Sequence, residues 1–341
     1  MVRRSANSFA LQGVNLGAWL VLEKWMTPSL FAGTEAVDEY TFMQTPGARN
    51  KLREHQRRFI QEEDFKWMAT AGVEIIRIPV GYWILDGDAP YVASIGKLDW
   101  AFSMAEKYGI EVLISMHGAP GSQNGKDHSG RIGKTEWYDH ETYRAQTIGI
   151  LRRLAERYKD HPKFWGLELL NEPKSGIFQR TLKRFYKQAY RELGAVLSPR
   201  TRIVFHDAFT PRLMGGALPD SPRRPVAMDI HWYHFAFWMY KYVSLKRYYL
   251  LVQWHGRLIR RLKRWRGIVI GEWNGIIAAK ILDAYPKEQH EAIVREHIAR
   301  QVAAYRYADA WFYWSYKTDA RGVWHFRSQV EDGVLLLEAK R

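Results

Sequence analysis

Two carboxylates stand at the ends of apolar runs in this sequence: Glu172 in Leu169-Leu170-Asn171-Glu172-Pro173, and Glu272 in Val269-Ile270-Gly271-Glu272-Trp273. A carboxylate among apolar and aromatic side chains is costly unless it is partnered. Glycosidic-bond hydrolysis needs such a pair in different states, one protonated to assist the leaving oxygen and one ionised to attack the anomeric carbon. An apolar wall and a neighbouring negative charge raise the acid's pKa, whereas Arg or Tyr donors hold the nucleophile's down. Arg77 and Tyr233 are the available donors to Glu272, and Asn171 is suited to the 2-hydroxyl of a sugar. Taken alone, Asn-Glu-Pro after a strand is only a turn. Its meaning comes from the Gly-Glu-Trp further on and from His231 and Tyr233 between them. His117 and His231 lack metal-ligand spacing, so they are expected to serve sugar or carboxylate, with no metal and no cofactor.

Such a site needs a scaffold that brings strand ends together. Eight apolar runs are rich in Val, Ile and aromatics: Gly13–Trp19, Val73–Val80, Glu111–His117, Trp165–Asn171, Arg202–Asp207, Val226–Tyr233, Ile268–Trp273 and Trp311–Lys317. Several are nearly continuous, the pattern of parallel strands buried on both faces. Helical spacing fills the gaps over Glu141–Lys159, Gln179–Leu197, Glu288–Tyr305 and from Leu245 onward. The simplest closure is an α/β fold, a (β/α)8 TIM barrel, with chemistry at the C-terminal ends of its strands. An open doubly wound sheet is the competing arrangement, but no Gly-rich dinucleotide loop follows any run. Arg77, His117, Asn171, Glu172, His231, Tyr233, Glu272 and Trp314 are the polar or aromatic residues expected at strand ends.

Composition excludes other classes. There is no cysteine, hence no disulfide framework and no thiolate chemistry. The N-terminus shows no signal-peptide pattern and no run is long enough to span a membrane, so a cytoplasmic location is expected. The net charge of +15 is concentrated locally. No acidic residue occurs between Ile230 and Gly271, while Lys241, Lys246, Arg247, Arg257, Arg260, Arg261, Lys263, Arg264 and Arg266 all fall there. The aromatic, basic stretch 235–266 reads as a barrel helix with a solvated face. The sharper alternatives are a lid over the leaving-group side, or a peripheral contact with anionic lipid through 241–266. Nucleic acid is not expected, since no recognition motif accompanies the charge.

Several segments in order along the chain resemble glycoside hydrolase family 5, and within it the fungal exo-β-1,3-glucanases. They are GVNLGAWLVLEKWMTPSLF (13–31), VDEY (37–40), RIPVGYW (77–83), HGAPGSQNGKDHSG (117–130), GLELLNEP (166–173), HDAF (206–209), DIHWY (229–233), GEW (271–273) and WSYKTD (314–319). The resemblance implies one catalytic barrel over residues 1–341. It implies Glu172 as acid/base and Glu272 as nucleophile of a retaining reaction, with Arg77, His117, Asn171, His231 and Tyr233 around the sugar. It implies Trp314 as the platform beneath that sugar, and Glu23 and Asp127 on the far hydroxyls of a terminal glucose. A pocket closed in this way takes chain ends of a β-glucan oligosaccharide or β-glucoside. The fungal enzymes carry a phenylalanine clamp over the leaving sugar where this chain has Lys126; the clamp's other half falls near Ala236, flanked by Phe235 and Phe237. The leaving-group side is therefore expected to differ. Rival expectations are a glucosidase or transglucosylase for glucosylated lipid or other anionic glucosides, and a sugar-binding barrel without turnover.

Overall fold

A computed structural model describes residues 9–219, 224–236 and 242–338. Phe237 and Lys241, both named above, lie outside the described residues, as do Met1–Ser8. The eight strands are β1 (Leu11–Asn15), β2 (Ile75–Gly81), β3 (Glu111–Gly118), β4 (Phe164–Glu168), β5 (Arg202–His206), β6 (Val226–Trp232), β7 (Gly267–Trp273) and β8 (Ala310–Tyr313). Each pairs in parallel with the next, and β8 closes onto β1. Parallel strands need crossovers, and these are helical: α1 (Glu62–Ala71), α2 (Ile95–Tyr108), α3 (Glu141–Tyr158), α4 (Gln179–Gly194), α5 (Pro211–Met214), α6 (Leu245–Leu262), α7 (Lys287–Tyr305) and α8 (Phe326–Glu331), one after each strand.

Both faces of every strand are covered, which is why the runs read as continuous rather than alternating. Leu11, Ile75, Leu113, Trp165, Val204, Ala227, Val269, Ala310 and Phe312 fill the base of the barrel interior. A larger apolar layer lies between strands and helices, where Ile76, Ile78, Val112, Ile114 and Leu167 meet Phe102, Leu151 and Phe185. The upper interior is polar, and the site forms there.

Three runs extend past the strands by more than a single residue. Residues 16–19 leave β1, with Ala18 at φ 55°. Residues 169–171 leave β4, although Leu169 N–H still bonds Val204 O (2.9 Å) and Asn171 N–H bonds Met116 O (2.8 Å). Residues 314–317 leave β8. Apolar character continues beyond the ladder in each case because the mouth itself is buried. Arg77 departs from the strand-end expectation: it is the third residue of β2, opposite Asn15 and Leu113, and only its long side chain reaches the mouth.

α6 is an ordinary crossover helix. Ser244 caps it by accepting from Arg247 N–H, and Tyr248, Val252, His255 and Ile259 are buried. It leads from the mouth end of β6 to the base of β7, so Arg257, Arg261 and Arg266 lie toward the base. Packed against α7, α6 itself does not cover the mouth. Together with Arg212, Trp254 and Trp265 those arginines line a groove of about 800 Å³ beside α5. No described helix is long and apolar enough to cross a membrane.

Candidate active site

Arg77 is the hub of the barrel mouth and is fully buried. Its Nε donates to Glu168 Oε2 (2.8 Å), Nη1 to Asn15 Oδ1 (2.9 Å) and Glu272 Oε1 (3.0 Å), and Nη2 to Asn171 Oδ1 (2.7 Å). Burial works against the guanidinium charge, but Glu168, Glu272 and Asp229 outweigh it and hold the pKa above its usual value. The same fork thus orients one residue from each of β1, β4 and β7, and Asn171 just past β4. Its planar geometry suits this, where a lysine's point charge would not.

Glu272, one residue before the end of β7, has Arg77 on Oε1 and the Tyr233 hydroxyl donating to Oε2 (2.7 Å). The glycine before it is required. Gly271 N–H bonds Asp229 Oδ1 (2.6 Å), and a methyl group there would overlap both oxygens of the Asp229 carboxylate. Glu172 follows β4 in the left-handed region, φ 40°, a conformation that costs a non-glycine residue about 1–3 kcal/mol. That backbone is held by Gln123, whose amide bonds the carbonyls of His117 and Asn171 (both 2.8 Å), and by Asn124 Nδ2 on the Glu172 carbonyl (3.0 Å).

His231 joins the two carboxylates. Its Nδ1 lies 2.9 Å from Glu172 Oε1 and 3.5 Å from Glu272 Oε2, while Nε2 lies 3.2 Å from Asp229 Oδ2. Both ring nitrogens face carboxylates, an arrangement that favours the doubly protonated ring. Burial alone would discharge it, but the charges of Glu272 and Asp229 and its hydrogen bonds raise its pKa well above the usual histidine value. Glu172, His206 and His231, and likewise Glu168, Asp229 and His231, cluster tightly enough to suggest a metal. His231 belongs to both clusters, and the carboxylates on its two nitrogens favour a proton there.

The protonation of Glu172 runs opposite to the sequence expectation. Burial pushes its pKa up, but the His231 hydrogen bond and the surrounding His128, His231 and Lys126 pull it well below the usual carboxylate value. Lys126 Nζ is 3.1 Å from Glu172 Oε2, and His128 Nε2 is 3.6 Å from the same oxygen. Spacing along the chain did not reveal that cations gather here. Beneath the pair, the buried Glu168 carboxyl has its pKa raised to about 7, because desolvation and Asp229 prevail over Arg77.

The remaining sequence candidates divide between the sugar side and the rim. His117 is buried and neutral, its pKa lowered mainly by desolvation. It accepts from Asn171 Nδ2 (3.3 Å), and its ring lies parallel to Trp314 at 5.5 Å. Trp314 packs with Ala18, Met26, Tyr233 and Trp324. Glu23 is buried, with Trp25 Nε1 donating to Oε2 (2.9 Å); desolvation and then Asp127 raise its pKa, with Glu272 and Glu172 adding to it. Asp127 opens the single turn Asp127–Ser129 next to Lys126. Phe235 packs edge-on to Tyr233 and Trp324, both at 5.8 Å, while Lys126 sits over Phe209. The two rim positions thus serve different neighbours, and a jointly reshaped leaving-group side does not follow. Sequence reasoning singled out neither Glu168 nor Asp229, although a carboxylate within an apolar run was a sufficient signal. It also passed over Trp25, Trp324, His128 and Phe209, which carry no local signal beyond their type.

Comparisons agree with this geometry. Residues 37–320 match the family described as cellulase (glycosyl hydrolase family 5). The chain is 34% identical to a probable glucan 1,3-beta-glucosidase A of Emericella nidulans, over 95% of this chain and 89% of that protein. It is 31% identical to the glucan 1,3-beta-glucosidase of Blumeria graminis, over 96% and 87% respectively. Among solved structures, rutinosidase from Aspergillus niger superposes with a TM-score of 0.81 at 19% identity, covering 96% of this chain and 98% of that one. At that identity the likeness speaks for the fold.

Proposed function

This chain belongs to glycoside hydrolase family 5, and from that membership we propose that it is an exo-acting β-1,3-glucanase or β-glucosidase that works with retention. Glu272 is the nucleophile and Glu172 the acid/base. The observation that carries this reading is the shared His231 nitrogen. Contacts of 2.9 Å and 3.5 Å place the nearer oxygens of Glu172 and Glu272 at most 6.4 Å apart. Retaining pairs stand roughly 5–5.5 Å apart, whereas inverting pairs leave about 6.5–9.5 Å for a water. Arg77 and Tyr233 keep Glu272 ionised and aimed. Glu172 takes up a proton from solvent and gives it to the glycosidic oxygen as Glu272 bonds the anomeric carbon; it then takes a proton from the water that releases glucose. Glu23, buried and close to Asp127, supports a pocket closed around a terminal sugar, and the names of the fungal relatives support a β-1,3-glucan as its source.

The test is Glu272→Ala with an activated aryl β-glucoside and sodium azide. Turnover should fall by several orders of magnitude, and azide should restore it as the α-glucosyl azide, because the anion enters on the vacated face. A β-azide would exchange the two roles.

A further inference from the structure

Lys126 reaches Glu172 from the solvent side. Its N–H bonds Asn124 Oδ1 (2.9 Å), and its carbonyl accepts from Ser129 N–H (3.0 Å) and Oγ (2.6 Å), so the turn fixes where the side chain starts. Glu172 Oε1 is engaged by His231, which leaves Oε2 to serve a leaving group. Lys126 Nζ occupies that oxygen at 3.1 Å. The lysine side chain is 56% exposed and its partner only 5%. Phe209, 40% exposed, presents its ring 5.8 Å from the same ammonium. A cation that is half in water and beside an open aromatic face is therefore placed where the departing group must pass.

This arrangement handicaps a neutral substrate. An ammonium on Oε2 favours the ionised carboxylate, and a carboxylate cannot protonate a leaving oxygen. The pair is nevertheless open to water on the lysine side, so an incoming anion can reach the ammonium and compete for it. We propose that the Glu172 side of the cleft is an anion site, and that the preferred substrates are β-glucosides whose leaving group bears a carboxylate or phosphate within reach of Lys126 and an apolar part that lies on Phe209. The substrate's anion takes the ammonium. Glu172, with one of its three cationic neighbours drawn away and His231 and His128 still in place, takes a proton from solvent and passes it to the glycosidic oxygen. The bond from that oxygen to the anomeric carbon breaks as the bond to Glu272 forms, and the leaving group departs as the neutral hydroxyl with its anion still paired to Lys126. Water then attacks the anomeric carbon, gives its proton to Glu172 and frees Glu272. Substrate charge thus selects the substrate and also eases protonation of the acid. The inference rests on the roles given above to Glu172 and Glu272.

The experiment measures kcat/KM for 4-carboxyphenyl β-glucoside and for its methyl ester with the wild-type protein, Lys126→Met and Lys126→Arg. Comparing the acid-to-ester ratio between proteins cancels the intrinsic difference between the two phenols. The ratio should be about tenfold higher in the wild type than in Lys126→Met, as expected for one charge-assisted contact, and Lys126→Arg should keep most of it. Equal ratios in wild type and Lys126→Met, with the ester still turned over with retention, would overturn the anion site and leave the catalytic roles standing. If the wild type hydrolyses neither glucoside, the proposal falls together with the function on which it rests. Melting temperatures within a few degrees of the wild type establish that both variants are folded.

Discussion

The floor of the mouth and its rim are held by opposite physics. On the floor, Arg77 binds four side chains at 2.7–3.0 Å, and Asn15, Glu168, Asn171 and Arg77 itself are wholly shielded from solvent. Water offers no substitute partner there, so each bond is obligatory and the geometry is over-determined. On the rim, Lys126 meets one carboxylate and one ring and is otherwise solvated. Its contacts compete with water and with substrate. The difference teaches that one barrel can fix its reaction at the floor while the choice of leaving group is made at the rim, where a side chain can be displaced without disturbing the Arg77 network below.

The comparison is most easily broken at Arg77. Arg77→Met leaves Glu168, Glu272 and Asp229 without their shared counter-charge. Removing one partner of a buried pair costs about 3–5 kcal/mol, and chemical denaturation should show a loss of that order. On an aryl β-glucoside kcat/KM should drop at least about a thousandfold, because the nucleophile loses both charge stabilisation and aim. Arg77→Lys should recover little, since one ammonium cannot reach four acceptors in a plane. If Arg77→Lys kept a tenth of the activity, the floor would be no more exacting than the rim.

A smaller effect separates the two regions by pH. The Glu168 carboxyl is raised from 4.5 to about 7, chiefly by burial. Between those values the folded protein holds a proton that the unfolded chain has released, so this group makes stability fall as pH rises from about 4.5 to about 7. Asp207, also raised to about 7 by burial, acts in the same sense. His206 and His234, kept neutral by burial with pKa values of about 3 and about 4, act in the opposite sense below the ordinary histidine range. The useful quantity is therefore the difference between two proteins. From pH 5 to pH 8 the wild type should lose roughly 2–3 kcal/mol relative to Glu168→Gln, read from urea midpoints at each pH. A constant difference would mean that Glu168 is ionised throughout and that Arg77 prevails over burial.

How much of this could be read from the sequence follows the same division. The closed barrel was legible because strands buried on both faces leave continuous apolar runs, and their order leaves one simple closure. Glu172, Glu272 and His231 were legible because ionisable residues at the mouth ends of such runs stand out. Glu168 and Asp229 carried the same mark inside β4 and β6, yet a carboxylate within a motif is easily read as part of its neighbour's function. The state of Glu172 was not legible. It depends on His231, on His128 and on a lysine 46 residues away, the last two carried there by a turn that Ser122 Oγ and Ser129 Oγ close at 2.6 Å. Strand ends were overrun at Leu169, Leu16 and Trp314 because burial continues where hydrogen-bond pairing stops. Spacing reports burial and periodicity; it does not report which charges a loop brings together.

The smallest expected effect lies at Phe209, and it sharpens the comparison because this residue is built like a floor residue and placed like a rim residue. Its backbone is fixed, at φ 57° with its N–H on Asp207 Oδ1 (2.8 Å), while its ring is open to solvent beneath Lys126. An exposed cation–ring contact is worth about 0.5–1 kcal/mol, and one face of aromatic packing against a leaving group is of similar size. Phe209→Ala should therefore raise KM about two- to fivefold for glucosides with an extended aromatic leaving group. On a small activated glucoside kcat should stay within about twofold, since the acid, the nucleophile and His231 keep their partners. Steady-state kinetics on the two substrates is sufficient to see this. A tenfold fall in kcat on the small substrate would mean that the ring helps to hold Glu172 itself, and the line between floor and rim would have to be drawn outside Phe209.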